Sequence, residues 1–169
     1  MNQLLAPILS SLVGGLLVAI PTLWKIYRSD RRQTASVASA FRGEISAILN
    51  LYRRREYLAL HKERLREWEE KNDEVSFPSD YEERTRDRIY QSNASRIGLL
   101  PEPIPGKIAT FYTLLDGIHE DLAKMSRGAL KSVPREAKIT YYRQFVSIME
   151  EMISLAEELE DELSDHAGR

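Results

Sequence analysis

Catalysis requires a nucleophile, an acid/base pair or a metal held in rigid surroundings. The side chains able to supply one are thinly spread in this sequence. Its three histidines, His61, His119 and His166, fall in separate segments, and none has the i,i+4 histidine or carboxylate partner of a metal-binding helix such as His-Glu-x-x-His. His119-Glu120-Asp121 comes nearest to a metal set and reads as a solvent-facing stretch. The chain has no cysteine, which excludes disulfides, thiolate metal sites and thiol nucleophiles. Neither a GxGxxG nor a GxxxxGK[ST] loop is present to cradle a phosphate. The expectation is a protein with no catalytic residues, no metal ligands and no cofactor, and thus not an enzyme.

Polar side chains that could recognise a partner are easier to find. Tyr90, Asn93 and Arg96 recur every three residues, so a helix would place them near one another at the end of a bundle, where they could contact a ligand or partner. The plainer reading packs Tyr90, bonds Asn93 to the local backbone and sets Arg96 at the negative end of a helix dipole. Arg53-Arg54-Arg55 is the densest basic run, but consecutive residues turn through a wide arc of a helix and Glu56 follows. With 24 Lys+Arg against 26 Asp+Glu, the net charge of -2 argues against a globally basic nucleic-acid binder. Lys25, Arg28, Arg31 and Arg32 form the most informative cationic set, because of what precedes them.

From Leu4 to Trp24 there are 21 residues without a charge. At about 1.5 Å of rise per residue, such a helix crosses the ~30 Å hydrocarbon core of a bilayer. A single transmembrane pass is expected. Positive residues collect on the cytoplasmic side, so the four cations that follow place the N-terminus outside and the remainder in the cytoplasm. The same cations gain about 1 kcal/mol each near anionic headgroups, and Trp24 and Tyr27 fall at the inner aromatic belt. Ser11, Gly15 and Ala19 lie four apart, on one face of that helix, where small residues let two backbones approach closely. They form a candidate self-association face.

Beyond Arg28 the apolar residues follow a helical period. Phe41, Ile45, Ile48, Leu49, Tyr52, Leu58, Leu65 and Trp68 predict one long helix over about 29–71, continuing out of the membrane. Ser79-Asp80-Tyr81-Glu82 carries a capping-box signature and opens a second helix near Asp80, closed by Gly98 as a left-handed C′ residue before Leu99-Leu100-Pro101. Pro105 opens a third, with Ile104, Ile108, Phe111, Tyr112, Leu115, Ile118 and Leu122 inward. Pro134 opens a fourth, in which Ile139, Tyr142, Phe145, Val146, Met149, Ile153, Ala156, Leu159 and Leu163 form the clearest stripe. No segment alternates with period two, so no sheet is expected.

Residues 25–71 hold twelve Lys/Arg against seven acids, and residues 134–169 hold four against nine. In an up-down bundle the last helix can lie along the first, so Glu150, Glu151, Glu157 and Glu158 are expected to face the basic first helix, the alternative being an acidic terminus that only keeps the tail soluble. Phe77-Pro78-x-x-Tyr81, Ile89-Tyr90-x-x-Asn93-x-x-x-Ile97-Gly98-Leu99-Leu100-Pro101 and Phe111-Tyr112-x-x-Leu115 together resemble a pattern in uncharacterised small bacterial proteins. Those proteins pair an N-terminal membrane helix with a cytoplasmic helical domain. The resemblance covers about residues 1–122 and implies architecture only.

The expected protein is all-α: a transmembrane anchor with a basic juxtamembrane end over residues 1–28, then a soluble antiparallel bundle of about four helices over 29–169. Its expected place is the bacterial inner membrane, single-pass. Its expected work is binding a protein partner or assembling with itself. The alternative is a membrane-disrupting effector of an antiphage type, whose cytoplasmic domain senses a partner or ligand. Nucleic acid is not an expected partner.

Overall fold

The structure is a computed structural model that describes residues 5–71, 75–77 and 88–167; the side chains of residues 5–22, 26 and 88 lie outside the description. Every regular element in it is helical. Helix α1 spans Leu5–Arg54, α2 Tyr57–Glu70, α3 Arg88–Asn93, α4 Ile104–Ser126 and α5 Arg135–Ala167, and a 3-10 turn over Ala94–Leu99 continues α3. Among the described residues there is no strand.

Three helices carry the core, and each does so on a 3-4 repeat. In α5 the buried residues Tyr142, Phe145, Met149, Met152, Ala156, Leu159 and Leu163 are spaced alternately three and four apart. Ala38, Phe41, Ile45, Ile48 and Tyr52 do the same in α1, and Ile104, Ile108, Phe111, Leu115, Ile118 and Met125 follow it in α4. A 3.5-residue repeat keeps one seam facing its neighbours along the whole length of a helix and produces near-parallel packing of the bundle type. Helix α5 is the shared partner, packing against α1, α2 and α4. Its run is antiparallel to both sides: Arg53 of α1 pairs with Glu157 and Lys62 of α2 with Glu150, while Lys107 of α4 pairs with Glu158 and Glu162 and Tyr141 bonds Asp121.

Several expectations are corrected in detail. The stretch expected as one helix over 29–71 breaks at Arg55 and Glu56, with Glu56 in the left-handed region at φ 51. After Tyr52 an unbroken helix would turn Arg55 and Glu56 onto the buried seam. The break re-phases the chain so that Trp68 is buried and Tyr57, Leu58 and Leu65 pack partly against the core, and the Tyr52 and Tyr57 rings meet edge to face at 5.3 Å. Across the break, α2 follows α5 onward; Trp68 lies 4.6 Å from the Tyr142 ring, and Arg135 donates to the Trp68 and Lys71 carbonyls, occupying orphan acceptors at the end of α2.

The second helix is described only over Arg88–Asn93; the capping box at 79–82 lies outside the described residues. Gly98 is not a left-handed terminator. It sits in the 3-10 turn, and among the described residues the positive-φ glycine is Gly128, at φ 73. There the Ala129 N–H donates to the Lys124 carbonyl and the Gly128 N–H to that of Met125, each at 3.1 Å, the paired bonds of a Schellman ending to α4. On α5, Met152 takes the buried position and Ile153 only packs at its edge, because the seam keeps to 3.5 residues where the expectation drifted by one. On α4, Leu122 is likewise only partly buried.

No helix of the described residues is long and apolar enough to cross a membrane. The backbone of α1 is nonetheless helical from Leu5 without interruption into the bundle core. The candidate self-association residues Ser11, Gly15 and Ala19 fall in this helix, and their side chains lie outside the described residues.

Candidate functional site: a cationic groove at the foot of the bundle

Helical geometry determines which of the cations after the apolar stretch can act together. Lys25, Arg28 and Arg32 recur at three and four residues, so they share one face of α1, and Arg31, about 60° round the helix from Arg28, lies at the edge of that face. The structure brings a fourth cation to that face from far along the chain. Trp24, Lys25, Arg28, Ser29, Arg32, Gln33, Ser36 and Arg96 line one groove of about 510 Å³, with no carboxylate among them. The Arg28 guanidinium lies 5.2 Å from the centre of the Trp24 ring, close enough for a cation–π contact. The Gln33 amide donates to the Ser29 hydroxyl at 3.4 Å.

Arg96 is carried there by the α3 segment and its 3-10 turn, which are clasped to α1 at two points. Thr34 donates to the Leu99 carbonyl at 3.1 Å. Higher up, the Glu44 carboxylate accepts the backbone N–H groups of Ile89 at 3.0 Å and Tyr90 at 3.1 Å, together with the Tyr112 hydroxyl.

Arg31 lines a second, neighbouring groove, with Tyr27, Asp30, Thr34, Leu99 and His166 among its walls. The Arg31 guanidinium lies 5.7 Å from the Tyr27 ring centre. Helix α5 therefore ends at the same level as Tyr27 and Arg31. This end of the bundle also gathers exposed apolar surface: of the five large hydrophobic side chains left exposed among the described residues, Leu23, Trp24, Tyr27 and Leu99 are here, and only Leu60 is elsewhere.

Tyr90, Asn93 and Arg96 are not brought to one ligand surface. The Tyr90 ring stacks on Tyr112 at 4.3 Å and 23° and meets Phe41 edge-on at 6.4 Å. Asn93 donates its amide to the Ile89 carbonyl at 3.0 Å and the Ser92 hydroxyl at 3.3 Å. Arg96 alone joins other cations. Sequence reasoning named all four groove cations but in two separate sets; residue spacing within a segment cannot join Arg96 to Arg32 across 63 intervening residues.

The histidines are likewise dispersed. His61 is packed against Phe145 at 5.0 Å and shares a hydrogen bond with the Tyr142 hydroxyl through Nδ1. Burial, then the positive charge of Arg64, pushes its pKa down to about 4, so it is neutral near pH 7. Burial pushes the Tyr142 hydroxyl up to about 12, against an opposing pull from Arg64, which also hydrogen-bonds it. His61 thus completes an aromatic cluster with Trp68, Tyr142 and Phe145. Among the described residues no three of His, Cys, Asp and Glu are grouped to hold a metal ion.

The acidic face of α5 meets basic residues on both sides. Glu157 and Glu150 pair with Arg53 and Lys62, as the charge asymmetry suggested, whereas Glu158 turns to Lys107 of α4. Most of these partners are about half exposed, and exposed pairs contribute ~1 kcal/mol or less each; they define which faces meet more than they hold them. No protein-family model, curated protein or solved structure matches the chain.

Proposed function

We propose that the chain is a single-pass membrane protein that works by assembling with itself or with a protein partner, without chemistry of its own. The reading places the apolar segment 4–24 in the bacterial inner membrane, with the N-terminus outside and the bundle in the cytoplasm. The observation that carries it is the continuity of α1: the helix that holds the uncharged stretch of the sequence is the helix that supplies Ala38, Phe41, Ile45 and Ile48 to the bundle core. No flexible linker separates them, so a rotation or displacement of one is transmitted to the other. The four cations after the apolar stretch support the orientation.

The experiment is alkaline carbonate extraction of membranes containing the full chain, followed by crosslinking in the membrane. Retention in the pellet and a discrete crosslinked oligomer, or a discrete complex with another protein, support the reading. Release into the supernatant overturns the membrane assignment. A monomer with no crosslinked partner overturns the assembly role.

The second reading, a membrane-disrupting effector, draws on the same continuity, since reorganising the bundle would drag the membrane helices with it. It is separated by overexpression: an effector becomes toxic on activation, and the toxicity disappears when residues 4–24 are exchanged for an unrelated membrane helix. Growth unaffected under every condition favours the assembly protein.

A further inference from the structure

Lys25, Arg28, Arg32 and Arg96 line one groove without a carboxylate, and none of the four forms an ion pair among the described residues. Four like charges on adjoining walls repel one another, so an arrangement of this kind is relieved by an anion. Phosphate esters suit the donor set, because guanidinium groups present paired N–H donors to phosphate oxygens. Ser29 and Gln33, between the cations, add neutral hydrogen-bonding groups.

The surroundings indicate where the phosphate comes from. Trp24 forms one wall and is 62% exposed, as is Tyr27 on the neighbouring face. Leu23 and Leu99 are exposed at the same end. Large apolar rings beside cations, immediately after an uncharged stretch of 21 residues, match the headgroup layer of a bilayer, where aromatic belts and basic residues collect. A site for a free anion in water has no use for that apolar rim.

We propose that this groove is a binding site for the headgroup phosphate of an anionic phospholipid, with Arg96 closing it from the α3 side over Lys25, Arg28 and Arg32. The proposal rests on the membrane reading above and adds to it. A general attraction of basic residues to an anionic surface draws on any exposed cation near the membrane. The groove instead selects by position: Arg96 counts although it is 71 residues beyond Lys25, whereas Arg31 lines the neighbouring groove with Asp30 and not this one. A bound headgroup would also tie the 3-10 turn to α1, so lipid composition would bear on how firmly the α3 segment is docked.

The test uses the full chain in neutral detergent micelles, with phosphatidylglycerol or phosphatidylcholine added and retained lipid counted by native mass spectrometry. Preferential retention of phosphatidylglycerol is expected. R96Q should weaken it about fivefold, the equivalent of ~1 kcal/mol for one basic residue near an anionic headgroup, while R31Q, outside the groove, should weaken it clearly less. Equal retention of the two lipids, or equal losses in R96Q and R31Q, overturns the site and leaves only a diffuse charge effect. Displacement of the lipid by inorganic phosphate at equal concentration overturns the lipid assignment in favour of a soluble phosphate. Failure of the membrane reading shows itself separately, as release of the wild-type chain by carbonate.

Discussion

The Tyr112 hydroxyl of α4 donates to the Glu44 carboxylate of α1, and the same carboxylate accepts the N–H groups of Ile89 and Tyr90 at the start of the described part of α3. One side chain thereby joins three elements far apart in the sequence. Above it Tyr90 stacks on Tyr112, so polar and aromatic contacts hold the α3 segment in place together, and Arg96 with it.

Removing that carboxylate should loosen the segment more than the bundle. Glu44→Ala leaves two N–H groups and one hydroxyl without their acceptor, costing about 2 kcal/mol where these groups are shielded from water. Amide hydrogen exchange at Ile89 and Tyr90 should accelerate well beyond that at Phe145 and Met149 in the core. Tyr112→Phe removes one bond only and should cost about 1 kcal/mol. Because both changes remove the same contact, the double variant should lose less than the sum; strict additivity would show that the hydroxyl and carboxylate do not interact.

Gly98, expected from the sequence to close a helix, and Gly128, which does close one, should respond differently to alanine. At Gly128 the backbone has φ 73, and an added Cβ would fall 2.7 Å from Lys131 Cε. The lysine tip can move, so the cost is chiefly conformational, about 1 kcal/mol. At Gly98 a Cβ meets nothing within 4 Å and φ is not positive, so Gly98→Ala should be neutral or slightly stabilising through the unfolded state. Thermal unfolding followed by circular dichroism compares them; a larger loss at Gly98 than at Gly128 contradicts the placement of the Schellman ending.

His61 should make stability fall on mild acidification. Its pKa is about 4 in the folded protein against 6.5 for an ordinary histidine, so between those values the unfolded chain takes up a proton that the folded protein refuses. The contribution is complete above pH 6.5 and is lost progressively as pH falls towards 4. Allowing for partial exposure, the loss is on the order of 2 kcal/mol. Denaturant unfolding of wild type and His61→Gln across this window should show a shallower pH slope in the variant. Identical slopes would mean that His61 is not the group responsible.

Within the proposed assembly, Gly15 is the position to enlarge. It stands between Ser11 and Ala19 at helical spacing, and Gly15→Leu would push apart two helices packed through that face while making the segment more apolar. The crosslinked oligomer should decrease and carbonate resistance should persist. An unchanged oligomer places the contact elsewhere.

Orientation has its own test. A reporter active only outside the cytoplasm, fused after Arg169, should be silent. Strong activity would put the bundle on the outer side and reverse the leaflet that the cationic groove meets.

The sequence by itself determined the helices and most of what they bury. Phe41, Ile45, Tyr112, Phe145 and Leu159 are core residues because apolar side chains at three/four spacing have one common face, and that face must leave water whatever its partner. The cations after the apolar stretch were legible for the same local reason. Tertiary structure alone decided the rest. It broke the first amphipathic run at Glu56, since α2 had to re-phase to keep Trp68 against α5, and it moved the buried position from Ile153 to Met152 because bundle packing holds the seam to 3.5 residues. It also carried Arg96 to Arg28 and Arg32 and seated Glu44 under Tyr112. Contacts between residues 45 to 70 positions apart depend on how whole helices dock, and docking is set by the summed fit of many side chains, which no local spacing encodes.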